Sequence, residues 1–244
     1  MYRFIFRDLG QISYKDAWEF QEKLLQEIIS LKHGTEGLSG MDRNERLNYL
    51  LFCEHPHVFT LGKNGKEENL LINREQLEAR HISLFRTNRG GDITYHGPGQ
   101  IIAYPLFDLE QSGLGIHEYI HRLEETIILT IAKSGVKGER LKGATGVWID
   151  PLITGRSRKI CAIGVRVSRW VTMHGLALNV NTDLSWFNLI NPCGFKNKTV
   201  TSLEKETGQK QDMNKVKQIL KLKFSEVFGI DFSECSQPPK GNQS

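Results

Sequence analysis

Long apolar runs are missing from this 244-residue sequence. A membrane-spanning helix needs about 18 or more consecutive apolar residues, so no transmembrane segment is expected. The first eight residues also lack the apolar core and the small-residue cleavage site of a secretory signal peptide. Cysteine is scarce, with four residues at positions 53, 161, 193 and 235 and no CxxC pair. These absences argue against a disulfide scaffold and predict a reduced, cytoplasmic location.

A strong charge of either sign is also lacking, because the formal net charge is only +4. No basic cluster with interleaved aromatic residues is present, so the sequence predicts neither nucleic-acid binding nor a membrane association. The mild positive balance fits an acidic protein partner better. There are no internal repeats, and the length suits one large domain. We expect a single catalytic domain over residues 1–232 and a disordered tail over residues 233–244.

The hydrophobic pattern alternates between strand-like and helix-like stretches. Helical spacing predicts one amphipathic helix after Ser13 that ends near Gly34, and a second after Gly115 that ends at Gly135. A short helix is expected at 73–77, another is capped by Thr201 and Glu204, and the last begins at Asp212 and closes at Gly229. The predicted strands cover 2–9, 47–53, 58–61, 82–85, 101–107, 146–149, 159–167 and 170–180. Ser168-Arg169 is the expected hairpin turn, and 181–199 is an expected loop. Because several strands follow one another without a helix between them, we predict an α+β fold with a mixed sheet.

The segment Arg89–Gln100 is the most distinctive stretch of the chain. It has four glycines and one proline among twelve residues, and an apolar run follows it directly. Glycine lets a backbone N–H approach a ligand closely and adopts positive φ without a Cβ clash. Flexible linkers are featureless, whereas this segment interleaves Arg, Asp, Thr, Tyr, His and Gln with its glycines. We therefore predict a shaped binding loop, called the glycine loop below.

Only one cysteine has a setting that suits a nucleophile. Cys53 and Cys161 lie in apolar runs, as expected for core packing. Cys193 lies in the turn Asn191-Pro192-Cys193-Gly194, where a thiol is accessible. A thiol of ordinary pKa is mostly protonated at neutral pH, so a cationic or basic neighbour is needed. Lys159, at the start of a predicted strand, is a candidate, with His96 and His174 as alternatives that composition does not separate.

The stretch His117-Glu118-Tyr119-Ile120-His121 fits the H-E-x-x-H pattern of zinc peptidases on a predicted helix. No further histidine follows at the spacing of the extended motif. Glu139 is a distant candidate for a third ligand, but it lies in a Gly/Lys-rich stretch without helical register. Short patterns recur by chance, so we expect two solvated histidines on a helix surface and no metal.

Four blocks together resemble the octanoyltransferases, also called lipoyl(octanoyl) transferases. The glycine loop, residues 89–100, is similar to the signature of that family, and residues 54–62 are similar to its upstream strand motif. Residues 159–180 resemble its central block, and 191–194 with 201–203 resemble the segment that holds its nucleophile. The blocks span about residues 47–204 in the family's order.

This resemblance implies the fold of the biotin and lipoate protein ligases, a mixed sheet flanked by helices. It implies that Cys193 accepts an octanoyl group from acyl carrier protein and passes it to a lysine of a lipoyl domain. The acceptors would be the lipoyl domains of 2-oxoacid dehydrogenase complexes and the glycine cleavage H protein. By the same resemblance Lys159 lowers the pKa of the thiol, and no cofactor is needed. The implied substrate-binding residues are Arg89, Gly90, Gly91, Asp92, Ile93, Thr94, Tyr95, His96, Ala162, Ile163, Gly164, Gly175, Leu176 and Ala177.

The chemistry of thioesters agrees with this expectation. Transfer from one thioester to another is nearly isoenergetic, transfer on to an amine is downhill, and no P-loop for ATP is present. The small residues Ala162, Gly164, Gly175 and Ala177 are expected to leave space beside the sheet for the acyl chain. Three alternatives stay open: an ATP-dependent lipoate or biotin ligase, an amidotransferase between lipoyl-type proteins, and a non-catalytic binder of the same partners.

Overall fold

The computed structural model describes residues 2–33, 46–191 and 199–234. Cys193 and Cys235 lie outside these ranges. The described strands, in chain order, are β1 (Tyr2–Gln11), β2 (Arg46–Glu54), β3 (Val58–Leu61), β4 (Ser83–Arg86), β5 (Ile93–His96), β6 (Gln100–Leu106), β7 (Glu139–Leu141), β8 (Ala144–Ile149), β9 (Arg158–Ser168), β10 (Val171–Asn179), β11 (Thr199–Val200) and β12 (Phe232–Glu234). The helices are α1 (Tyr14–His33), α2 (Arg74–Ala79), α3 (Ile116–Ala132), α4 (Leu203–Thr207) and α5 (Met213–Phe228), with 3-10 turns at Glu67–Asn69 and Leu184–Leu189.

Two sheets form the framework. The large sheet has the order β12-β1-β2-β6-β10-β9-β8-β7, and β11 pairs with β9. The small sheet has the order β4-β3-β5. Both sheets are mixed. In the large sheet β1 pairs in parallel with β2 and β12, whereas β6, β10, β9 and β8 pair antiparallel. In the small sheet β3 pairs in parallel with β4 and antiparallel with β5. The predicted α+β class with a mixed sheet is confirmed.

Alternation along β2 shows how the large sheet is buried on both faces. Leu50 and Phe52 pack into the core that α3 and α5 cover. Leu51 and Cys53 point to the opposite face and pack under α1. Because successive residues of a strand face opposite sides, the continuous apolar run of β2 is what a two-sided sheet requires. Cys53 and Cys161 are both fully buried, which confirms their assignment to the core.

Helix termini follow local capping chemistry. The Ser13 hydroxyl accepts from the Asp16 backbone N–H at 3.1 Å at the start of α1. Asp212 accepts from two backbone N–H groups at the start of α5, and Gly229 ends that helix with φ of +66°. These bounds agree with the prediction. The cap of α4 was predicted one residue too early, because Ser202 accepts from the Lys205 N–H, whereas the Thr201 hydroxyl donates to Glu206.

Two other local predictions were wrong. The turn of the β9–β10 hairpin is Arg169-Trp170 rather than Ser168-Arg169, and both turn residues have positive φ, as a type I′ turn requires. Ser233 was predicted to begin a disordered tail, but it lies in β12, pairs with Ile5 of β1, and donates its hydroxyl to Phe4 O at 3.1 Å. Residues 235–244 of the predicted tail lie outside the described ranges.

Within the described ranges no helix combines the length and apolar character needed to cross a bilayer.

Candidate active site

Lys159 is the second residue of β9, where the sheet narrows toward its β7 edge. It is the register partner of Trp148 on β8. Its ammonium Nζ donates to the carbonyl oxygen of Thr145 at 3.1 Å and lies 4.6 Å from the centroid of the Trp148 ring. A carbonyl oxygen and an aromatic face are both groups that attract a cation. The strand-end location expected for Lys159 is confirmed, and its role in catalysis stays a prediction.

The segment that includes Cys193 joins two described anchors. On its N-terminal side, Asn191 N–H donates to Asn69 O at 2.7 Å. On its C-terminal side, β11 runs parallel to β9, so that Val200 is the register partner of Lys159. Thr201 N–H donates to Lys159 O at 2.9 Å. The chain therefore returns to the backbone of Lys159 seven positions after Cys193.

Arg89 holds the glycine loop together from inside. Its side chain is buried, and its Nη2 donates to Thr60 O at 2.6 Å and to Asp92 O at 2.8 Å. Nη1 donates to Gly90 O at 2.9 Å, and Nε donates to the Thr60 hydroxyl at 3.2 Å. Burial lowers the pKa of this guanidinium. These bonds brace the loop internally, and the predicted role of Arg89 in lining the substrate site stays a prediction.

Glycines allow the loop to lie directly on β9. Gly90 N–H donates to Val165 O at 2.9 Å. A Cβ on Gly164 would stand 2.9 Å from Gly90 O, and a Cβ on Gly62 would collide with Gly91 O. Gly91 also has a φ of +84°. Backbone contacts with β9 and with Gly62, the residue after β3, therefore fix the position of the loop, in agreement with the prediction that it has a defined shape.

The proposed space beside the sheet is absent at two of the four small residues. Gly164 faces the Gly90 carbonyl, and a Cβ on Gly175 would collide with Ala103 O of β6. These two glycines are register partners across β9 and β10. The absence of a Cβ at both positions lets a neighbouring backbone carbonyl approach closely. These two glycines therefore do not leave the space that the sequence predicted for the acyl chain. Ala162 and Ile163 remain half-buried on β9, opposite the buried Ala177 and Leu176.

The residues of β5 divide between two environments. Ile93 and Tyr95 point into the core of the small sheet, and the Tyr95 hydroxyl is 2.8 Å from His57 Nδ1. Trp186, from the second 3-10 turn, stacks on Tyr95 with ring centroids 5.9 Å apart. Thr94 is half-buried. Among the predicted substrate-binding residues, Ile93 and Tyr95 thus support the small sheet, and this sheet supports the turn that leads to Asn191.

Asp92 connects the glycine loop to the N-terminal anchor. Its backbone oxygen accepts from Gly62 N–H at 3.0 Å and from Arg89. Its carboxylate Oδ2 accepts from Asn69 Nδ2 at 2.6 Å. Asn69 in turn accepts the Asn191 N–H through its backbone oxygen. Asn69 therefore links Asp92 of the glycine loop to Asn191, two positions before Cys193. Sequence reasoning missed Asn69, which belongs to no motif.

A buried chain of hydrogen bonds connects the same loop to the C-terminal anchor. His96 Nδ1 is 2.9 Å from Gln100 Oε1, and Gln100 Nε2 donates to Asn179 Oδ1 at 2.8 Å. Asn179 Nδ2 donates to Thr201 O at 3.0 Å, and Thr201 bonds to the Lys159 backbone. His96, Gln100, Asn179 and Thr201 are all buried. Both ends of the segment that includes Cys193 are thus tied to the glycine loop.

The two histidines considered beside Lys159 are held neutral by burial. Desolvation lowers the pKa of His96 to about 3, and the neighbouring His55 and Arg89 add to that shift. Desolvation also lowers the pKa of His174 to about 3, assisted by Arg89 and Arg166. The Nε2 of His174 is 2.6 Å from Asn88 Oδ1. A neutral imidazole cannot supply the positive charge that stabilises a thiolate.

The H-E-x-x-H stretch lies on the first two turns of α3. His117 and His121 are exposed, Glu118 pairs with Arg122 at 2.9 Å, and Tyr119 packs into the core. Glu139, considered as a third ligand, pairs with Lys137 at 3.2 Å. Across the parts of the chain that the structure describes, no group of three or more His, Cys, Asp or Glu side chains is arranged to hold a metal.

Comparison with known proteins places this architecture in a family. The family model described as "Lipoyl protein ligase A/B catalytic domain" matches residues 13–225. An octanoyltransferase of Parabacteroides distasonis is 54% identical over 228 residues, covering 93% of this chain and 100% of that protein. An octanoyltransferase of Christiangramia forsetii is 52% identical over 225 residues, covering 91% of this chain and 94% of that protein.

Among solved structures, a lipoate-protein ligase A bound with ATP shares the fold at a TM-score of 0.66. It is 16% identical, and the alignment covers 98% of this chain and 90% of that one. At that identity the likeness shows the architecture alone, which confirms the predicted ligase-like fold. The family match over most of the chain and the full-length relatives together show that this chain belongs to the lipoyl protein ligase A/B catalytic-domain family, within its octanoyltransferases.

Proposed function

We propose that this chain transfers an octanoyl group from acyl carrier protein to a lysine of a lipoyl domain, through a thioester on Cys193 and with Lys159 as its proton partner. The observation that supports the dyad is the pairing of Val200 and Thr201 with Lys159, which returns the segment after Cys193 to the lysine backbone. Full-length relatives named octanoyltransferase support the reaction.

In the first half-reaction, the amine of Lys159 takes the proton of the Cys193 thiol. The thiolate attacks the carbonyl carbon of the incoming thioester, and a tetrahedral oxyanion forms. Collapse breaks the bond from that carbon to the carrier sulfur, and the Lys159 ammonium returns the proton to the leaving thiol. Cys193 then holds the acyl group as a thioester, and Lys159 is a neutral amine.

In the second half-reaction, the amine of the acceptor lysine attacks the Cys193 thioester. Neutral Lys159 takes a proton from the attacking nitrogen, and an amide forms as the Cys193 thiolate leaves. The resulting pair of thiolate and ammonium is ready for a new donor. The Nζ of Lys159 that would carry out this exchange donates to Thr145 O and lies over the face of the Trp148 ring.

Backbone N–H groups are the natural donors for the oxyanion of both steps. Removal of one such donor typically costs about 3 kcal/mol of transition-state stabilisation. The donor and acceptor are expected to be acidic proteins, which the formal net charge of +4 complements. We propose the lipoyl domains of 2-oxoacid dehydrogenase complexes and the glycine cleavage H protein as acceptors, and the cytoplasm as the location.

Intact-mass measurement after mixing with octanoyl-acyl carrier protein tests this function. The wild-type chain is expected to gain one octanoyl group without ATP and to lose it when a lipoyl domain is added. Cys193→Ser is expected to gain none, whereas Cys53→Ala, which alters a buried thiol under α1, should still be acylated. An adduct that persists in Cys193→Ser would contradict the role of this cysteine.

The same mixtures separate the alternatives. Labelling of a lipoyl domain by free octanoate that requires ATP would identify a ligase. Acylation from an octanoylated lipoyl-type donor, but not from acyl carrier protein, would identify an amidotransferase. Binding of both partners without turnover would identify a non-catalytic adaptor.

A further inference from the structure

Residues 69–71 form a short antiparallel pairing with residues 189–191. Asn191 N–H donates to Asn69 O at 2.7 Å, Leu71 N–H donates to Leu189 O at 2.9 Å, and Leu70 bridges Ile190. Ile190 is buried in the core of the small sheet. The backbone at Asn191 is therefore held in place by residues 69–71.

Asn69 is the member of this pairing that also contacts the glycine loop. Its side-chain Nδ2 donates to Asp92 Oδ2 at 2.6 Å. A bond of an amide N–H to a carboxylate is charge-assisted, and such bonds are short and strong. The backbone of Asp92 is fixed by Gly62 and Arg89, so its carboxylate is a firm reference point. Through its bonds to Asp92 and Asn191, Asn69 fixes the position of Asn191 relative to the glycine loop.

We propose that Asn69 is a positioning residue for the acyl-transfer reaction, holding Asn191, two positions before Cys193, in register with Asp92 of the glycine loop. This inference rests on the proposed function, since it assumes that Cys193 is the acylated residue. Asn69 does not need to touch substrate. Its contribution comes from orienting a nucleophile, and small displacements of a reacting group reduce rates strongly.

The hydrogen bond defines a set of variants with distinct outcomes. Asn69→Ala removes the donor, and we expect Cys193 acylation to slow by about tenfold or more. Asn69→Asp replaces the donor by a second carboxylate facing Asp92, and two adjacent carboxylates cannot both be ionised without repulsion. The rate of Asn69→Asp relative to wild type is therefore expected to be lowest at about pH 8 and to recover toward about pH 6, where the pair shares a proton.

A reciprocal exchange gives the sharpest test. In the double variant Asn69→Asp with Asp92→Asn, an amide at position 92 donates to a carboxylate at position 69. We expect acylation faster than in Asn69→Asp alone and without its recovery at lower pH. Asp92→Asn alone keeps a neutral amide pair and should lose less activity than Asn69→Ala.

Asn73→Ala is the matched control. Asn73 lies four residues further along, caps α2 by accepting from Gln76 N–H at 2.9 Å, and makes none of the contacts with Asp92 or Asn191. Loss of such a cap lowers stability, so this variant is destabilised without disturbing the link. The acylation rates of Asn69→Ala and Asn73→Ala would be compared under conditions in which equal fractions of the two variants are folded.

Amide hydrogen exchange at Asn191 separates failure of the inference from failure of the proposed function. We expect faster exchange in Asn69→Ala than in Asn73→Ala, whichever residue is acylated. An adduct retained in Cys193→Ser would overturn the proposed function. The exchange data would still test whether Asn69 holds Asn191. Acylation and exchange in Asn69→Ala that match Asn73→Ala, or no rescue by the reciprocal exchange, would overturn the inference.

Discussion

The backbone N–H of Thr201 donates to the carbonyl oxygen of Lys159 at 2.9 Å, so the main chain of the lysine holds the backbone eight positions after Cys193. The amine of the same residue contacts Thr145 O and the Trp148 ring. Positioning and proton transfer are therefore separable at this residue. A substitution of the side chain removes the amine and leaves the pairing of β11 with β9 intact.

Lys159→Ala is expected to slow both half-reactions by about a hundredfold or more, the usual contribution of a positioned acid–base group. In the proposed dyad the Lys159 ammonium lowers the pKa of the Cys193 thiol, so its removal should let that pKa rise toward its ordinary value of about 8.5. The measurement is the rate of alkylation at Cys193 as a function of pH, followed by peptide mass. Lys142→Ala, in the exposed turn between β7 and β8, is the control and should leave the profile unchanged. Identical profiles for Lys159→Ala and wild type would refute the dyad.

Gly164→Ala is expected to damage the site, because the added Cβ would stand 2.9 Å from the backbone oxygen of Gly90. Either β9 or the glycine loop must move, and overpacking of this kind costs about 1–3 kcal/mol. We expect a lower urea midpoint together with slower acylation. Gly115→Ala is the matched substitution, since Gly115 has a negative φ and open space around its Cβ position. Equal stability and activity in the two variants would show that the loop does not depend on this contact.

Three buried histidines predict a loss of stability in mild acid. Desolvation lowers the folded-state pKa of His55 to about 4 and that of His96 and His174 to about 3. The unfolded value is about 6.5, so between that pH and the folded values the unfolded chain binds more protons. The stability that these neutral rings contribute is complete above about pH 6.5 and declines as the pH falls, by at most about 1.4 kcal/mol per pH unit for each ring.

Urea unfolding at several pH values between about 7.5 and about 4.5 measures this decline. Replacement of one ring, as in His55→Gln, should flatten the dependence of the unfolding free energy on pH even where it lowers stability overall. His117→Gln, which alters an exposed ring on α3, is the surface control for a histidine substitution. A slope unaffected by His55→Gln would mean that this ring is not buried in neutral form.

Much of the framework follows from local sequence chemistry. Long strand-like runs predicted β2, β9 and β10, and period-3.6 patterns predicted α1 and α3, all close to their observed bounds. Short elements were harder to predict from the sequence. β7 has three half-buried residues, and the 3-10 turn at Leu184–Leu189 lies in a stretch predicted as loop. Neither has enough residues to display a period.

The site shows a different limit. Lys159 and the glycine loop were identified through motifs, and Asn69 was not, because its function depends on contacts with residues 23 and 122 positions away in the chain. The glycines show the same limit. A missing side chain in the sequence is compatible with an open cavity or with a closely packed backbone, and only the placement of Gly90 and Ala103 distinguishes the two at Gly164 and Gly175.

The parallel pairing of β1 with β12 has a practical consequence for handling this protein. Phe4 and Phe232 are register partners, so the first and last described strands lie side by side at one margin of the large sheet. Lys159 lies on β9, four strand spacings from β1, or roughly 19 Å across the sheet. A linker at β1 or β12 would therefore attach the chain to a sensor surface at a point remote from Lys159, and binding of the proposed carrier protein and lipoyl domain could be timed on the same immobilised molecule.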